Sequence, residues 1–399
     1  MKRTCQQGIL MTLMCTAWLS VMAQTLQSSI PVTVNCATGQ SLNRTLAKLD
    51  KHVAATVSVT GTCTEYVQVI GFENLTLKGM PGAALLQPTT GAGNLFNSLL
   101  LIESSRSITV QGFNIQADTT TIDAVGVGHG SSDVRLRNLQ IEGGIFGIIV
   151  FENSQVLVAH VSAKDPGYSP LGIFDSSDAH VEHCLFGNSS GALWHVGINL
   201  GASHITLFDT TIKNMQVGIS AGSGSIVDVS AYDTYTPFGG PSDVTILSPA
   251  GTNFNGVSLG GGASLNIFSA KLVINSPGQP WGGTTGGIVV SDGSTLNAFN
   301  PNNLVITGSH GQGIAVLNNS HATLVGSTIT GGGHGGLVVS NLSSIDVNGG
   351  NNNSTQTLVG GNGVDLFCDA GSTITGSVNL AGVPTAQCAN LLGSEFTLP

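Results

Sequence analysis

The stretch GVSLGGGASLNIFSAKLVINS, residues 256–276, decides the fold when it is set beside GIVVSDGSTLNAFNPNNLVIT, residues 287–307. Each stretch begins with a Gly and an apolar residue, passes a polar turn, and continues as an alternating strand such as LNI at 265–267. A further apolar residue follows, as at Ile306. Three short strands, each with a period of two, indicate one coil of a β-solenoid.

The Gly and the apolar residue that follows it, here called the Gly tag, recur through most of the chain. The spacings between tags are 25, 25, 21, 38, 31, 26, 23 and 27 residues, and the tags begin at Gly147, Gly172, Gly197, Gly218, Gly256, Gly287, Gly313, Gly336 and Gly363. Two upstream strands, at 108–110 and 134–136, lack the tag. A single coil cannot bury its own apolar face, but stacked coils share a continuous core. The repeat therefore predicts an all-β, right-handed parallel β-helix of about 10–12 coils.

The two ends of the chain depart from the repeat. Lys2 and Arg3 precede an apolar run over 9–19, and small residues follow up to Ala23, which predicts a signal peptide over 1–23. Helical spacing of apolar residues predicts a short N-terminal helical cap within 24–52. We expect the β-helix to span 53–363, and a C-terminal coil and cap to span 364–399.

Five cysteines remain beyond residue 23, and four of them bracket the ends of the repeat. Cys36 and Cys63 enclose the first segment, and Cys368 and Cys388 enclose the last. In the oxidising compartment that a signal peptide implies, we expect both pairs to form disulfides that hold the ends of the stack. Cys184 falls on an inward position, so we expect a buried structural thiol.

The composition limits the class of partner. The formal net charge is −10, and removal of residues 1–23 would leave 10 basic and 22 acidic groups, a net charge of −12. Such a surface argues against nucleic acid and anionic membranes as partners. Beyond the signal sequence no run of 18 apolar residues occurs, so no transmembrane segment is expected. We expect a secreted monomer.

The repeat over residues 53–375 resembles the pectin-lyase-like superfamily of right-handed β-helix proteins. Within it, DVRLRNLQI at 133–141 is similar to a strand and turn of pectate lyases, and HVEHCLF at 180–186 is similar to their acid-His-Cys-x-Phe segment. That resemblance implies Ca²⁺ as the cofactor and Glu182 as its ligand, with partners among Asp175, Asp178 and Asp209.

Other parts of those families' machinery are missing from the chain. Pectate lyases use a downstream Arg as the base, but no Arg follows Arg137. The paired Asp residues and the Arg-x-Lys element of pectin-hydrolysing relatives are also missing. The sequence thus leaves open whether the protein is a polysaccharide lyase, a glycoside hydrolase or no enzyme.

Alignment of consecutive strands predicts a column of polar residues at one turn of successive coils. The column contains Asn138, His160, His183 and Asp209. Two imidazoles and a carboxylate could bind a metal or act as acid and base. With Glu182, the residues His160, His183 and Asp209 are the candidate catalytic set. The alternative is a polar turn ladder that stabilises the stack.

A second pattern concerns aromatic residues that we place in the connection between the alternating strands and the next Gly tag. They are Tyr168, Trp194, Tyr232, Tyr235, Phe238 and Trp281. Insertions on one side of a solenoid often build a binding face, and rings on a polar ledge suit sugar binding. The alternative is that the rings cover the edge of the core.

Two hypotheses for function follow from these patterns. In the first, the protein is a secreted β-helix that engages a polysaccharide or cell-surface glycan along the aromatic-rich edge, with lyase, hydrolase or epimerase activity undecided. In the second, it is a non-catalytic structural or adhesin-like protein of the cell surface, with the solenoid as a rigid spacer.

Overall fold

The computed structural model describes residues 29–89, 98–189, 195–230, 243–247, 254–275, 286–308, 311–347, 357–376, 378–381, 386–388 and 391–392. Within them the chain forms three long sheets, called A, B and C here, and all their strand pairs are parallel. Each coil supplies one strand to sheet A, then one to sheet B and one to sheet C, in chain order. The predicted parallel β-helix is therefore confirmed.

Sheet A contains fifteen strands within the described residues. They are Ile30–Asn35, Ala55–Thr60, Leu75–Gly79, Arg106–Gln111, Ser132–Arg137, Gln155–Ala159, Asp178–Glu182, His204–Phe208, Ile226–Val229, Ser264–Ile267, Thr295–Ala298, His321–Leu324, Ser344–Asp346, Thr373–Thr375 and Leu391–Leu392.

Sheet B contains thirteen strands in the same part of the chain. They are Thr62–Thr64, Ala84–Leu86, Asn114–Ala117, Gln140–Gly143, Ser162–Lys164, Leu185–Gly187, Thr211–Lys213, Val244–Leu247, Leu272–Asn275, Leu304–Thr307, Thr328–Thr330, Thr357–Gly360 and Val378–Ala381.

Sheet C also contains thirteen strands among the residues described. They are Val67–Ile70, Ser98–Glu103, Asp123–Gly128, Phe146–Val150, Ser169–Phe174, Val196–Gly201, Val217–Gly222, Asn255–Leu259, Gly286–Val290, Gln312–Val316, Gly335–Val339, Leu366–Cys368 and Ala386–Cys388. This number slightly exceeds the predicted coil count because the first and last coils carry no Gly tag.

The core is a set of columns in which apolar residues of successive coils stack. One column of sheet C runs through Ile148, Leu171, Ile198 and Ile219, and each of these side chains has no exposed surface. Neighbouring coils lie about 4.8 Å apart, so each inward side chain contacts its counterparts above and below. The stack thus shares one core along its length.

The C→A turns, which connect strands of sheet C to strands of sheet A, contain a buried ladder of serines. The amide of Ser294 donates to Oγ of Ser320 at 3.2 Å, and the amide of Ser320 donates to Oγ of Ser343 at 3.2 Å. Eight amides in the described turns donate in this way to the serine of the next coil. The ladder satisfies backbone donors that these tight turns would otherwise bury unpaired.

Two of the nine predicted Gly tags are out of register. Pro170 stands level with Gly147 and Gly197, because Leu171 pairs with Ile148 and Ile198. Gly172 is two positions later and lies under aromatic rings instead, since a Cβ there would be 2.7 Å from carbons of two Phe rings. At the other end Leu337 pairs with Leu366, which places Gly363 before the strand.

The predicted helical cap and both predicted disulfides are present. A 3₁₀ turn spans Cys36–Thr38, and helix α1 spans Leu42–Leu46, which buries both of its terminal leucines against the first coil. Cys36 is bonded to Cys63, with Cα atoms 5.1 Å apart, and Cys368 to Cys388, with Cα atoms 4.4 Å apart. The first strand, Ile30–Asn35, lies inside the segment expected to be the cap and pairs with sheet A.

Cys184 is a buried free thiol, as expected. Its Sγ lies 3.2 Å from the carbonyl oxygen of Glu182, and burial raises the pKa of the thiol to about 12. A thiol held neutral in this way is a structural group rather than a nucleophile.

None of the helices in the described part of the chain is long and apolar enough to cross a membrane.

Candidate functional site

Three aromatic rings lie together on the outer face of sheet C. Phe146 contacts Tyr168 and Phe174, with ring centroids 5.4 and 5.7 Å apart and interplanar angles of 73° and 77°. Tyr168 is 39% exposed, and the two Phe rings are partly exposed. This group, called the aromatic cluster here, forms because Gly172 has no Cβ and leaves space beneath two of the rings.

Asp123 lies directly beside the aromatic cluster and was not singled out from the sequence. Its Oδ1 accepts a hydrogen bond from the amide of Phe146 at 3.1 Å, and the residue is 9% exposed. Burial raises the pKa of this carboxyl to about 6, and the bond from Phe146 only partly offsets that rise. The signal in the sequence was one acidic residue at the head of the otherwise apolar strand Asp123–Gly128.

The structure gathers the predicted turn column at the A→B turns, which connect strands of sheet A to strands of sheet B. The rings of His160 and His183 are stacked, with centroids 4.8 Å apart and planes within 6°. Nδ1 of His183 lies 2.6 Å from Oδ2 of Asp209. The carboxylate can orient the imidazole in the way that an acid–base pair requires.

A structural cause places these residue types in the column. Asn138, His160, His183 and Asp209 all have positive φ, at 50°, 54°, 53° and 36°. Asn, Asp and His adopt this left-handed conformation more readily than most other residues. Backbone bonds run along the same column, as from the amide of His160 to the carbonyl of Glu182 at 3.1 Å. The geometry therefore fits the polar turn ladder directly.

Glu182 is fully buried at the end of a sheet A strand, adjacent to the column. Glu182 is aligned with Ala159 of the preceding coil, and Ala159 is aligned with Arg137 of the coil before that. The small side chain of Ala159 therefore lies between Glu182 and Arg137. Oε2 of Glu182 lies 3.4 Å from Nε2 of His180. Burial lowers the pKa of Arg137, and the charge of Glu182 opposes that shift. The carboxylate of Glu182 therefore already interacts with His180 and Arg137 inside the protein.

The structure does not gather Glu182 with Asp175 and Asp178 as ligands of one metal, and the further candidate partner, Asp209, contacts His183. Asp178 and Glu182 are the first and last residues of one five-residue strand, so about 13 Å of extended chain separates them. Asp178 instead contacts Nδ1 of His204 at 2.9 Å, and Asp175 lies in a C→A turn. Among the described residues, the single group of three ligand atoms with metal-binding spacing contains the disulfide-bonded Cys36 and Cys63, with Glu65. Disulfide sulfurs have no thiolate to offer a metal.

The predicted aromatic edge is only partly described. Trp194, Tyr232, Tyr235, Phe238 and Trp281 lie outside the described residues. Tyr168 lies in a B→C connection, which runs from sheet B to sheet C.

Comparisons with known proteins agree with this architecture. A family model described as a right handed beta helix region matches residues 61–232, which confirms the handedness and, at the level of the fold, the expected resemblance. No curated protein matches the chain.

Solved structures of several kinds are similar to the chain at low identity. A family 28 exopolygalacturonase of Yersinia enterocolitica is 11% identical, with a TM-score of 0.48, and covers 91% of this chain and 78% of its own. The surface adhesin PfbA of Streptococcus pneumoniae is 11% identical, with a TM-score of 0.38 and coverage of 88% and 91%. The A-module of the mannuronan C-5 epimerase AlgE4 of Azotobacter vinelandii is 11% identical, with a TM-score of 0.36 and coverage of 86% and 90%.

Proposed function

Because the chain is a right-handed parallel β-helix, we propose that it is a secreted protein that binds a glycan at the aromatic cluster. The observation that carries the proposal is the exposed ring of Tyr168, packed against Phe146 and Phe174. Exposed aromatic rings with fixed geometry are suited to the apolar face of a sugar ring. The two disulfides support the oxidising compartment that secretion requires.

Asp123 supplies the polar part of this site. Its carboxyl lies under the Phe146 amide, and with a pKa of about 6 it is largely protonated below pH 6 and largely ionised above. A buried carboxyl can donate a hydrogen bond to a sugar hydroxyl in the first state and accept one in the second. Binding at the cluster should therefore change between about pH 5 and pH 7.

The test is gel retardation of the mature protein in a panel of neutral and acidic polysaccharides. We expect Tyr168→Ala to weaken retardation about tenfold, the effect of losing roughly 1.4 kcal/mol of contact. Phe268→Ala is the matched control, since that ring is 43% exposed but lies outside the cluster, stacked on Phe299. Equal losses in both variants, or no retardation of the wild type, would exclude the proposed site.

A second candidate function is the structural spacer or adhesin-like protein. The left-handed backbone of His160, His183 and Asp209 favours it, since turn geometry accounts for these residues without catalysis. A catalytic role for them and for Glu182 stays a prediction. Incubation with the panel, with assays for new reducing ends and for unsaturated products, tests it: product that His183→Ala abolishes would establish an enzyme.

A further inference from the structure

A second concave surface lies on the outer face of sheet B. It is a shallow groove of about 320 Å³ across the strands Asn114–Ala117, Gln140–Gly143 and Ser162–Lys164. Its polar lining includes Gln116, Gln140, Glu142, Lys164, Asp165 and Ser189. The groove is separated from the aromatic cluster by the B→C connections, since Tyr168 follows Lys164 by four residues.

The polar groups of the groove are only partly engaged with one another. Nε2 of Gln116 donates to Oε2 of Glu142 at 3.3 Å. The carboxylate of Asp165 accepts from the amide and the hydroxyl of Ser189, both at 2.6 Å. The ammonium group of Lys164 forms no hydrogen bond or ion pair with another described residue. Each carboxamide also keeps donors and acceptors beyond these bonds.

These groups repeat with the coil. Gln116, Glu142 and Lys164 stand in register on three successive strands, and Asn114, Gln140 and Ser162 form a parallel row two residues earlier. The rungs are therefore about 4.8 Å apart along the stack, and the rows about 7 Å apart. A ligand that presents hydroxyl groups at a regular interval along an extended chain matches this pattern.

The charge of the groove selects among such ligands. It has two carboxylates and one ammonium group, in a chain with 22 acidic and 12 basic residues. A polyanion would meet net repulsion here, whereas an uncharged polyol would not. We propose that the groove is a second subsite, which binds a neutral polysaccharide segment lying parallel to the axis of the stack. The inference rests on the proposed function, since the groove would hold a second segment of the same glycan, on the other side of the B→C connections from the aromatic cluster.

The test compares a neutral gluco-disaccharide, a neutral gluco-octasaccharide and an octagalacturonate by calorimetry. A short ligand reaches one site, but a long one engages both, so the octasaccharide should bind more tightly through its higher effective concentration. We expect the double variant Gln116→Ala/Gln140→Ala to weaken octasaccharide binding about tenfold and to leave disaccharide binding unchanged. Thr328→Ala/Thr330→Ala is the matched control, because those residues hold outward positions on a distant strand of the same sheet.

The outcomes separate this inference from the proposed function. If Tyr168→Ala abolishes disaccharide binding but the groove variant binds every ligand as the wild type does, the second subsite is excluded and the first stands. Tighter binding of octagalacturonate than of the neutral octasaccharide would overturn the proposed ligand class. If the wild type binds none of the three, or Tyr168→Ala has no effect on the disaccharide, the proposed function fails as well.

Discussion

At the scale of single residues, the Gly tags are explained by close packing inside the coil. A Cβ at Gly313 would lie 2.2 Å from Cγ2 of Ile329, and one at Gly197 would lie 2.4 Å from Cγ2 of Ile212. Both isoleucines are inward residues of sheet B in the following coil. The tag therefore lies where a strand of sheet C begins and packs closely against sheet B. Gly is needed there for this close packing and not for a turn conformation.

Gly313→Ala should destabilise the protein, because an added methyl group in a filled core forces its neighbours to move. We expect the free energy of unfolding to fall by about 1–3 kcal/mol, measured by denaturant titration. Gly260→Ala is the control: its φ is not positive, and its added Cβ would lie 3.7 Å from Ser291 Oγ, an ordinary contact distance. A loss of the same size at Gly260 would show that the packing argument is incorrect.

His204 should make stability depend on pH above neutrality. Its Nδ1 lies 2.9 Å from Asp178, its Nε2 lies 3.1 Å from Asp228, and these bonds raise its pKa from 6.5 to about 9. Because the folded state holds the proton more tightly, this stabilisation is fully present below pH 6.5 and is lost as the pH rises through 9. The side chain is 37% exposed, so screening limits the effect to about 1 kcal/mol.

The measurement is the free energy of unfolding between pH 6 and pH 10 for the wild type and His204→Gln. We expect the wild type to lose stability across this range and the variant to show a flatter curve. His321 serves as the control position, since its ring contacts the hydroxyls of Ser344 and Thr323. Parallel curves for the wild type and His204→Gln would disprove the role of the contacts between His204 and the carboxylates of Asp178 and Asp228.

At the scale of the structural element, the A→B turn imposes one conformation on a whole column of residues. The short turn needs a left-handed residue, and successive coils meet that need with Gly112, Asn138, His160 and His183. The stacking of the two imidazoles is then a consequence of the coil spacing. If the turn conformation alone selects these residues, the column should tolerate any residue that readily adopts a positive φ.

His183→Asn should therefore leave the free energy of unfolding within about 0.5 kcal/mol of the wild type. His183→Val should cost roughly 1–2 kcal/mol, because a β-branched side chain is strained at positive φ. Both values come from thermal or denaturant unfolding, with glycan retardation measured alongside. If His183→Asn folds normally but loses a polysaccharide-cleaving activity of the wild type, the column is a catalytic site rather than a ladder.

At the scale of the whole molecule, the fold could be predicted because every coil repeats the same pattern, and errors in single tags do not alter it. The site could be predicted only in part, because lateral register decides which side chains meet. Gly172 looks like a tag in the sequence, yet its role is to lie beneath Phe146 and Phe174. Asp123 is one acid among 22, and only the structure shows its burial beside those rings.

A stack of this kind also predicts how stability is distributed, because each coil contacts only its neighbours. Cys368 and Cys388 stand in register on the last two described strands of sheet C, so their disulfide ties together two neighbouring coils at this end of the described stack. Removal of this bond by Cys368→Ser/Cys388→Ser should lower the free energy of unfolding at that end by about 3 kcal/mol. Hydrogen exchange should rise in the strands Thr373–Thr375 and Leu366–Cys368 and stay unchanged at Val217–Gly222.

Cys184→Ala, which keeps both disulfides, is the control and should leave exchange at the C-terminal end unaltered. Faster exchange throughout the stack in the double Ser variant would mean that the coils unfold as one unit, against the nearest-neighbour description.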